Sequence, residues 1–305
     1  MNISIVIPVY QAQDSLAKVV DDLQNASFLR RKKWELILID DFSSDSSFTV
    51  IQEKANQYSN IIGISLHKNV GQHSATLAGI KEATGAFLFT MDDDGEHPIK
   101  YLQILFESLE NNNADIAFAI PSRSEKNIIR KTLSSVFKKS ARWYSDGYGE
   151  GSAFRLIRRS IYVQLKNHQA PFVFIDEILA WYTKNVVFEP CQFLTSNKKS
   201  TYKPIRLLNL YNEIMYTYSS FPAQFLTKVG VFGSLISFCL GVFFITKKVF
   251  FKTKLGFTSI TVSILFSASV IMLGLGIIAQ YIYRQNKLLN RYPQFSIRER
   301  TDGKG

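Results

Sequence analysis

Apolar runs alternate with amphipathic stretches through the first 120 residues. Ile3-Ser4-Ile5-Val6-Ile7-Pro8-Val9 reads as a buried strand, and residues 12–25 place Leu16, Val19, Val20 and Leu23 on one helical face. The same pair of patterns then repeats. Strands are predicted at Glu35–Ile39, Ile61–Leu66, Ala86–Met91 and Asp115–Ile120. Helices are predicted at Ser44–Gln57, capped by Ser44 or Asp45, at Ser74–Ala83, ended by Gly85, and from Pro98 to about Leu109. Strand and helix in alternation with short connections predict an α/β fold with a mostly parallel, doubly wound sheet. Ligands of such sheets bind beyond the C-terminal ends of the strands, where Tyr10, Asp40, Asp41, Asn69, Asp92, Asp94 and Ser122 all fall.

After residue 121 the alternation weakens. Residues 127–144 are basic with helical spacing, Phe154–Ile157 suits a strand, Ser160–Leu165 a short helix and Ile175–Lys184 another. Residues 204–225 carry a wide apolar face with Lys203 and Arg206 at its start, which suits an interfacial amphipathic helix or, alternatively, a soluble core helix. Val229–Thr246 is free of charge between Lys228 and Lys247, and Leu255–Tyr283 is free of charge between Lys254 and Arg284. A membrane span needs about 20 apolar residues. The second run exceeds that, and the first reaches it with its lysines snorkelling. The predicted organisation is a catalytic domain at 1–200, amphipathic helices at 201–226, two transmembrane helices at about 229–246 and 257–283 within 227–284, and a basic cytoplasmic tail at 285–305.

Charge sharpens this picture. The chain has 305 residues, is 46% hydrophobic and carries a formal net charge of +11. A basic excess suits nucleic acid, an anionic membrane or a phosphorylated substrate. The basic residues crowd around Arg123–Arg159, Lys198–Arg206 and the flanks of the apolar runs, with no nucleic-acid-binding motif among them. A membrane surface with an anionic substrate fits, and no nucleic-acid partner is expected. Lysines on both sides of the apolar runs weaken the positive-inside signal for orientation. Cys191 and Cys239 form neither a disulfide framework nor a zinc spacing, and the opening residues do not read as a signal peptide.

Several strand ends carry candidate chemistry. Asp92-Asp93-Asp94 ends the fourth strand, and alternate carboxylates there suit Mg²⁺ or Mn²⁺ bridging a diphosphate. Asp40-Asp41 follows the second strand and suits either hydrogen bonds to a base or ribose, or a cap on the next helix. Lys68-Asn69-Val70-Gly71-Gln72-His73 lies in a strand-to-helix turn, where Gly71 allows backbone approach to a ligand. Arg123, Arg130, Lys131 and Arg155 are basic residues beyond the sheet, suited to an acceptor phosphate or to a solvated or lipid-facing surface.

The motifs stand in order: Val6-Ile7-Pro8-Val9-Tyr10, Ile39-Asp40-Asp41, Asn69-Val70-Gly71-Gln72, Met91-Asp92-Asp93-Asp94-Gly95-Glu96-His97-Pro98 and Ser152-Ala153-Phe154-Arg155-Leu156. This set resembles the family-2 inverting glycosyltransferases of the GT-A fold, and within them the polyprenyl-phosphate glycosyltransferases. The resemblance covers nearly the whole chain. It implies transfer, with inversion, of a sugar from a UDP- or GDP-sugar to a polyprenyl phosphate such as undecaprenyl phosphate, giving a lipid-linked sugar for cell-envelope glycans. It implies that Pro8, Tyr10, Asp40, Asp41, Asn69, Gly71, Asp92 and Asp93 bind the nucleotide sugar, and that Asp92 and Asp94 hold the metal. Asp94, Arg123 and Arg155 then serve catalysis, with the two arginines at the phosphates. An already ionised acceptor phosphate needs no strong general base. The family can form tetramers through its membrane region. The implied location is the bacterial inner membrane, multi-pass, with the catalytic domain in the cytoplasm. Two departures stand out: the family's D-x-D-L-Q-x-P-P is here Asp92-Asp93-Asp94-Gly95-Glu96-His97-Pro98-Ile99, and Ala153 replaces an acidic residue before Phe-Arg-Leu. Asp176 and Glu177 are left without a role. Rival readings are a transferase acting directly on a glycolipid or polysaccharide, and a non-catalytic membrane scaffold.

Overall fold

The structure, a computed structural model, describes residues 2–122, 148, 151–169, 173–194 and 293–303, with scattered helical positions between 228 and 285. The chain divides into two compact units, one of Met1–Thr201 with Arg291–Gly305, the other of Tyr202–Asn290.

In the first unit the predicted alternation forms. Strands β1 (Asn2–Val9), β2 (Lys33–Asp40), β3 (Ile61–Leu66), β4 (Phe87–Thr90) and β5 (Ile116–Pro121) alternate with helices α1 (Gln13–Gln24), α2 (Ser47–Gln57), α3 (Gln72–Glu82) and α4 (Tyr101–Asn111). Then come β6 (Arg155–Arg158), α5 (Arg159–Lys166), α6 (Ile175–Tyr182), β7 (Val186–Cys191) and β8 (Ile297–Asp302). The eight strands run in the order β7-β5-β6-β4-β1-β2-β3-β8. β1 pairs in parallel with β2 and β4, β2 with β3, and β5 with β7.

The sheet is mixed rather than wholly parallel. β6 inserts antiparallel between β4 and β5, and β8 pairs antiparallel with β3. Residues 297–302, expected as part of a separate tail, are thus an edge strand of the sheet. A strand buried on both faces must be apolar throughout, and Val6, Ile7, Ile37 and Leu38 are fully buried. One face packs Leu16, Leu23, Ile51 and Leu105 from α1, α2 and α4 against Ile3, Ile5 and Ile7. On the other face α3 lies close enough that a Cβ at Gly79 would meet Val6.

The returning tail is well tied. The His67 N–H donates to the Ser296 carbonyl at 2.9 Å, Arg300 pairs with Glu82 at 2.6 Å, and Gln52 donates to Glu299 at 2.8 Å. Covering β3 this way removes a free strand edge.

Among the described residues no helix is long and apolar enough to cross a membrane. The expected amphipathic helix at 204–225 and the basic helix at 127–144 lie outside the described residues, and so does nearly all of both predicted spans.

Candidate active site

The C-terminal ends of β1 to β4 carry most of the predicted residues. Parallel pairing sets these ends side by side: Pro8 lies opposite Ile39 and Val9 opposite Asp40. Pro8 itself is buried within β1, while Tyr10, one step beyond the strand, is exposed.

The two carboxylates after β2 hold the rim together. Asp40 is 2% exposed and accepts from the Ser43 N–H at 3.1 Å and the Ser65 hydroxyl at 2.9 Å. Asp41 is 3% exposed and accepts from the N–H groups of Val70 at 2.7 Å and Gly71 at 2.8 Å. Its carbonyl accepts from the Asn69 amide at 3.2 Å. Gly71 takes a φ of 86°, open to glycine but costly to other residues, so the turn into α3 presents both N–H groups to one carboxylate. Burial pushes the Asp41 carboxyl above its ordinary range, although the two N–H groups pull it down. Neither carboxylate caps α2, and the predicted Ser44 or Asp45 cap is not found: the N-cap is Ser46, with no capping side chain, while Asp45 accepts from the Ser47 N–H at 3.0 Å and the Ser47 hydroxyl at 2.5 Å.

The acidic loop after β4 closes against this rim. Asp93 turns back toward β1, accepting from the Tyr10 N–H at 2.9 Å, and its carbonyl accepts from the Ser15 hydroxyl at 2.9 Å. Asp94 accepts from the Glu96 N–H at 2.9 Å. Asp92 receives the Gln72 amide at 2.5 Å. The Asp92 N–H donates to Nδ1 of His97 at 3.1 Å, and Nε2 of His97 lies 3.7 Å from the Asp92 carboxylate. The His97 ring is buried and stacks on Phe154 at 4.9 Å between centroids. Burial lowers its pKa to about 4, so the ring is neutral and free to accept at Nδ1. Burial first, then the charges of Asp94 and Asp93, push the Asp92 carboxyl up to about 7.

This acidic loop can be tested as a metal site. Among the described residues no three His, Cys, Asp or Glu side chains converge on one point. Mg²⁺ bound to a substrate diphosphate takes only one or two protein carboxylates and keeps waters for the rest. Asp92 and Asp94 therefore fit a cation arriving with a diphosphate.

Arg155 is the residue whose surroundings differ most from the sequence reading. It is 2% exposed, its Nε donates to the Thr90 hydroxyl at 3.0 Å, and Nη1 pairs with Asp176. The guanidinium also lies 5.9 Å from the Phe118 ring. The carboxylate left without a role in the sequence is therefore the partner of this arginine. His73, at the start of α3, packs on Phe174 at 4.5 Å, and burial followed by the Arg155 charge lowers its pKa to about 3. Arg123, Arg130 and Lys131 lie outside the described residues. Sequence reasoning missed Gln72 and His97 as supports for Asp92; both stood inside quoted motifs, and only the distances reveal their partner.

Residues 4–165 match the family described as Glycosyl transferase family 2. Among similar proteins are two undecaprenyl-phosphate 4-deoxy-4-formamido-L-arabinose transferases. That of Klebsiella pneumoniae (strain 342) is 26% identical over 97% of this chain and 92% of its own. That of Yersinia pestis (strain Pestoides F) is 28% identical over 97% and 93%. Among solved structures, mannosyl-3-phosphoglycerate synthase from Rubrobacter xylanophilus superposes with a TM-score of 0.52 at 12% identity, covering 75% of each chain. S. aureus TarS 1-349 in complex with UDP-GlcNAc gives 0.50 at 11% identity, covering 72% of this chain and 67% of that one. These two likenesses concern the fold alone.

Proposed function

The chain belongs to glycosyl transferase family 2, whose match spans more than half of it, and from that premise we propose that it transfers a sugar from a nucleotide-sugar donor to undecaprenyl phosphate, with inversion. The observation that carries the donor side is the loop at the end of β4, where burial and crowded carboxylates push Asp92 up to about 7. Such a loop is built to receive positive charge. In this reading Asp92 and Asp94 hold Mg²⁺ or Mn²⁺, which would neutralise the departing nucleoside diphosphate. Gln72 and His97 fix Asp92 in place, and Asp93 fixes Tyr10 beside it. Pro8, Tyr10, Asp40, Asp41, Asn69 and Gly71 form the rim on which the nucleotide lies. Asp40 and Asp41 serve by holding that rim in shape. Arg155, braced by Asp176, sets the β4–β6 junction beside the site, and Arg123 is assigned to the acceptor phosphate.

The acceptor assignment is supported by relatives named as undecaprenyl-phosphate transferases that match 97% of the chain. Membrane attachment is supported by the second unit, where Phe232, Phe250, Ile264, Ile271, Leu275 and Ile282 are all helical and exposed. The chain leaves the first unit after Thr201 and rejoins it at Arg291. A bilayer segment in between must therefore cross an even number of times, which supports a hairpin of two spans in the inner membrane with the catalytic unit in the cytoplasm. A homo-oligomer, by analogy a tetramer, belongs to the same reading.

The test is incubation of the full chain in detergent with undecaprenyl phosphate and a panel of labelled UDP- and GDP-sugars, with Mg²⁺ or Mn²⁺. A lipid-linked sugar from one donor is expected. Product on a glycolipid or polysaccharide but not on undecaprenyl phosphate would refute the acceptor, and no nucleotide-sugar binding at all would refute the enzyme.

A further inference from the structure

His73 has no part in the reading above. It lies in the first turn of α3, next to Gln72, whose amide reaches the Asp92 carboxylate at 2.5 Å. Its ring packs on Phe174, the residue before α6, at 4.5 Å between centroids. The charge of Arg155 acts on both His73 and Asp92. Asp92, Arg155, Phe174 and His73 thus share one corner of the C-terminal rim. The strand order says which corner. β4 stands between β1 and β6, so Asp40 and Asp41, after β2, lie to one side of Asp92, and Arg155, at the start of β6, lies to the other.

The imidazole is half-buried, and among the described residues neither of its nitrogens takes part in a hydrogen bond. The polar groups around it are engaged. The Thr90 hydroxyl donates to the Ala153 carbonyl at 2.6 Å and accepts from Arg155 at 3.0 Å, and Arg155 pairs with Asp176. Polar atoms withdrawn from water without a partner are costly, so this corner favours a ligand that supplies one.

The chemistry of the ring narrows that ligand. Burial and the Arg155 charge keep it neutral. A neutral imidazole offers one N–H donor and one acceptor nitrogen. A hydroxyl, which also donates and accepts, can use both; an ionised phosphate can use only the donor. Undecaprenyl phosphate carries no hydroxyl beyond its phosphate, whereas a nucleotide sugar carries several. With its nucleoside over the ends of β1 to β3 and its diphosphate at Asp92 and Asp94, the donor extends its sugar toward β6, where His73 lies.

We propose that His73 hydrogen-bonds a hydroxyl of the sugar being transferred and so helps decide which sugar the chain accepts. The inference deepens the donor reading above and rests on it. A site built to pair a substrate hydroxyl discriminates against a sugar that lacks it, because the protein group is then left unpaired.

The experiment measures transfer from UDP-glucose, UDP-galactose, UDP-xylose and GDP-mannose to undecaprenyl phosphate by the full chain in detergent with Mg²⁺, beside calorimetric binding of UDP and GDP. One sugar is expected to lead in the wild type. His73→Phe keeps a ring against Phe174 and removes both nitrogens, and His73→Leu makes the same deletion with a smaller side chain. Either is expected to lower kcat/KM for the leading donor by about tenfold or more and to narrow its lead, while nucleoside diphosphate binding stays within twofold of wild type. His73→Gln, which can still donate and accept, is expected to recover part of the lead. An unchanged lead in both apolar variants overturns the proposal. So does a loss that falls equally on every sugar or on UDP and GDP themselves, which is what a merely structural role would give. A wild type that favours none of these sugars overturns it too, and one that binds neither UDP nor GDP overturns the donor reading itself, a separate outcome.

Discussion

Replacing Asp176 with Asn separates two roles for Arg155. In the structure the guanidinium is 2% exposed, and its partners are the Thr90 hydroxyl and the Asp176 carboxylate. The variant keeps the size of the side chain and removes its charge. The guanidinium is then buried with one neutral hydroxyl and one amide oxygen for company. Breaking a buried ion pair from one side costs about 3–5 kcal/mol, because the surviving charge has lost its compensation. For a domain of this size each kcal/mol moves the melting temperature by about 2–4 °C, so a fall of roughly 6–20 °C is expected. Removing both charges with Arg155→Met and Asp176→Leu should recover much of that loss, since an apolar pair of similar volume is often no worse than a buried ion pair. The assay is a melting curve of the purified full chain, paired with transfer measured well below the transition. A melting temperature within about 2 °C of wild type in Asp176→Asn, with transfer abolished, would refute the reasoning and return Arg155 to direct work on a phosphate.

Three further outcomes follow from the rim. Asp41→Asn presents one acceptor oxygen where two N–H groups now converge; losing one charge-assisted bond should cost about 1.5–3 kcal/mol and raise the KM for the donor, and an unchanged KM would show that the 69–71 turn is held by other means. His97→Phe keeps the stack on Phe154 but leaves the Asp92 N–H without its acceptor, for a cost of about 1–3 kcal/mol and a higher cation concentration at half-maximal activity, whereas His97→Gln, which can still accept, should lie nearer wild type. Because the Asp92 carboxyl is raised to about 7, the folded state favours its protonated form; without cation its contribution to stability is full below about pH 4 and is lost as pH rises through 7. A divalent cation competes with that proton, so cation affinity measured with UDP should rise up to about pH 7 and level off above it, and a flat profile from pH 5.5 to 8 would exclude Asp92 as a ligand.

The sequence was informative where burial on both faces leaves a run of apolar residues, and silent where backbone alone does the pairing. β1 to β5 were legible because each carries an uncharged apolar run, such as Ile3–Val9 in β1 and Leu36–Ile39 in β2. β7 contains Glu189 and Pro190, and β8 is Ile297-Arg298-Glu299-Arg300-Thr301-Asp302, charged on either side. Edge strands face water and carry no such run. Phe154–Ile157 was recognised as a strand, but its antiparallel direction depends on how the chain returns through residues 123–150, which periodicity does not encode. The site shows the same division. Asp92, Asp93 and Asp94 were found from their position at a strand end, yet the three turn different ways, toward Gln72, Tyr10 and the Glu96 N–H. The pairing of Arg155 with Asp176 joins residues 21 positions apart through tertiary packing, with no local signal.

The strand that closes the sheet beside β3 is made only after the whole of the second unit. A ribosome adds about 5–20 residues per second, and everything from Tyr202 to Asn290 must emerge before Ile297 does. Until then β3 has a bare edge, and Glu82 and Gln52 lack the partners that Arg300 and Glu299 bring. The order of synthesis thus becomes an order of assembly: the apolar excursion is delivered first, and the catalytic sheet is sealed only afterwards. A nascent chain that stalls within the excursion would display an unsealed sheet, which distinguishes it from the finished protein.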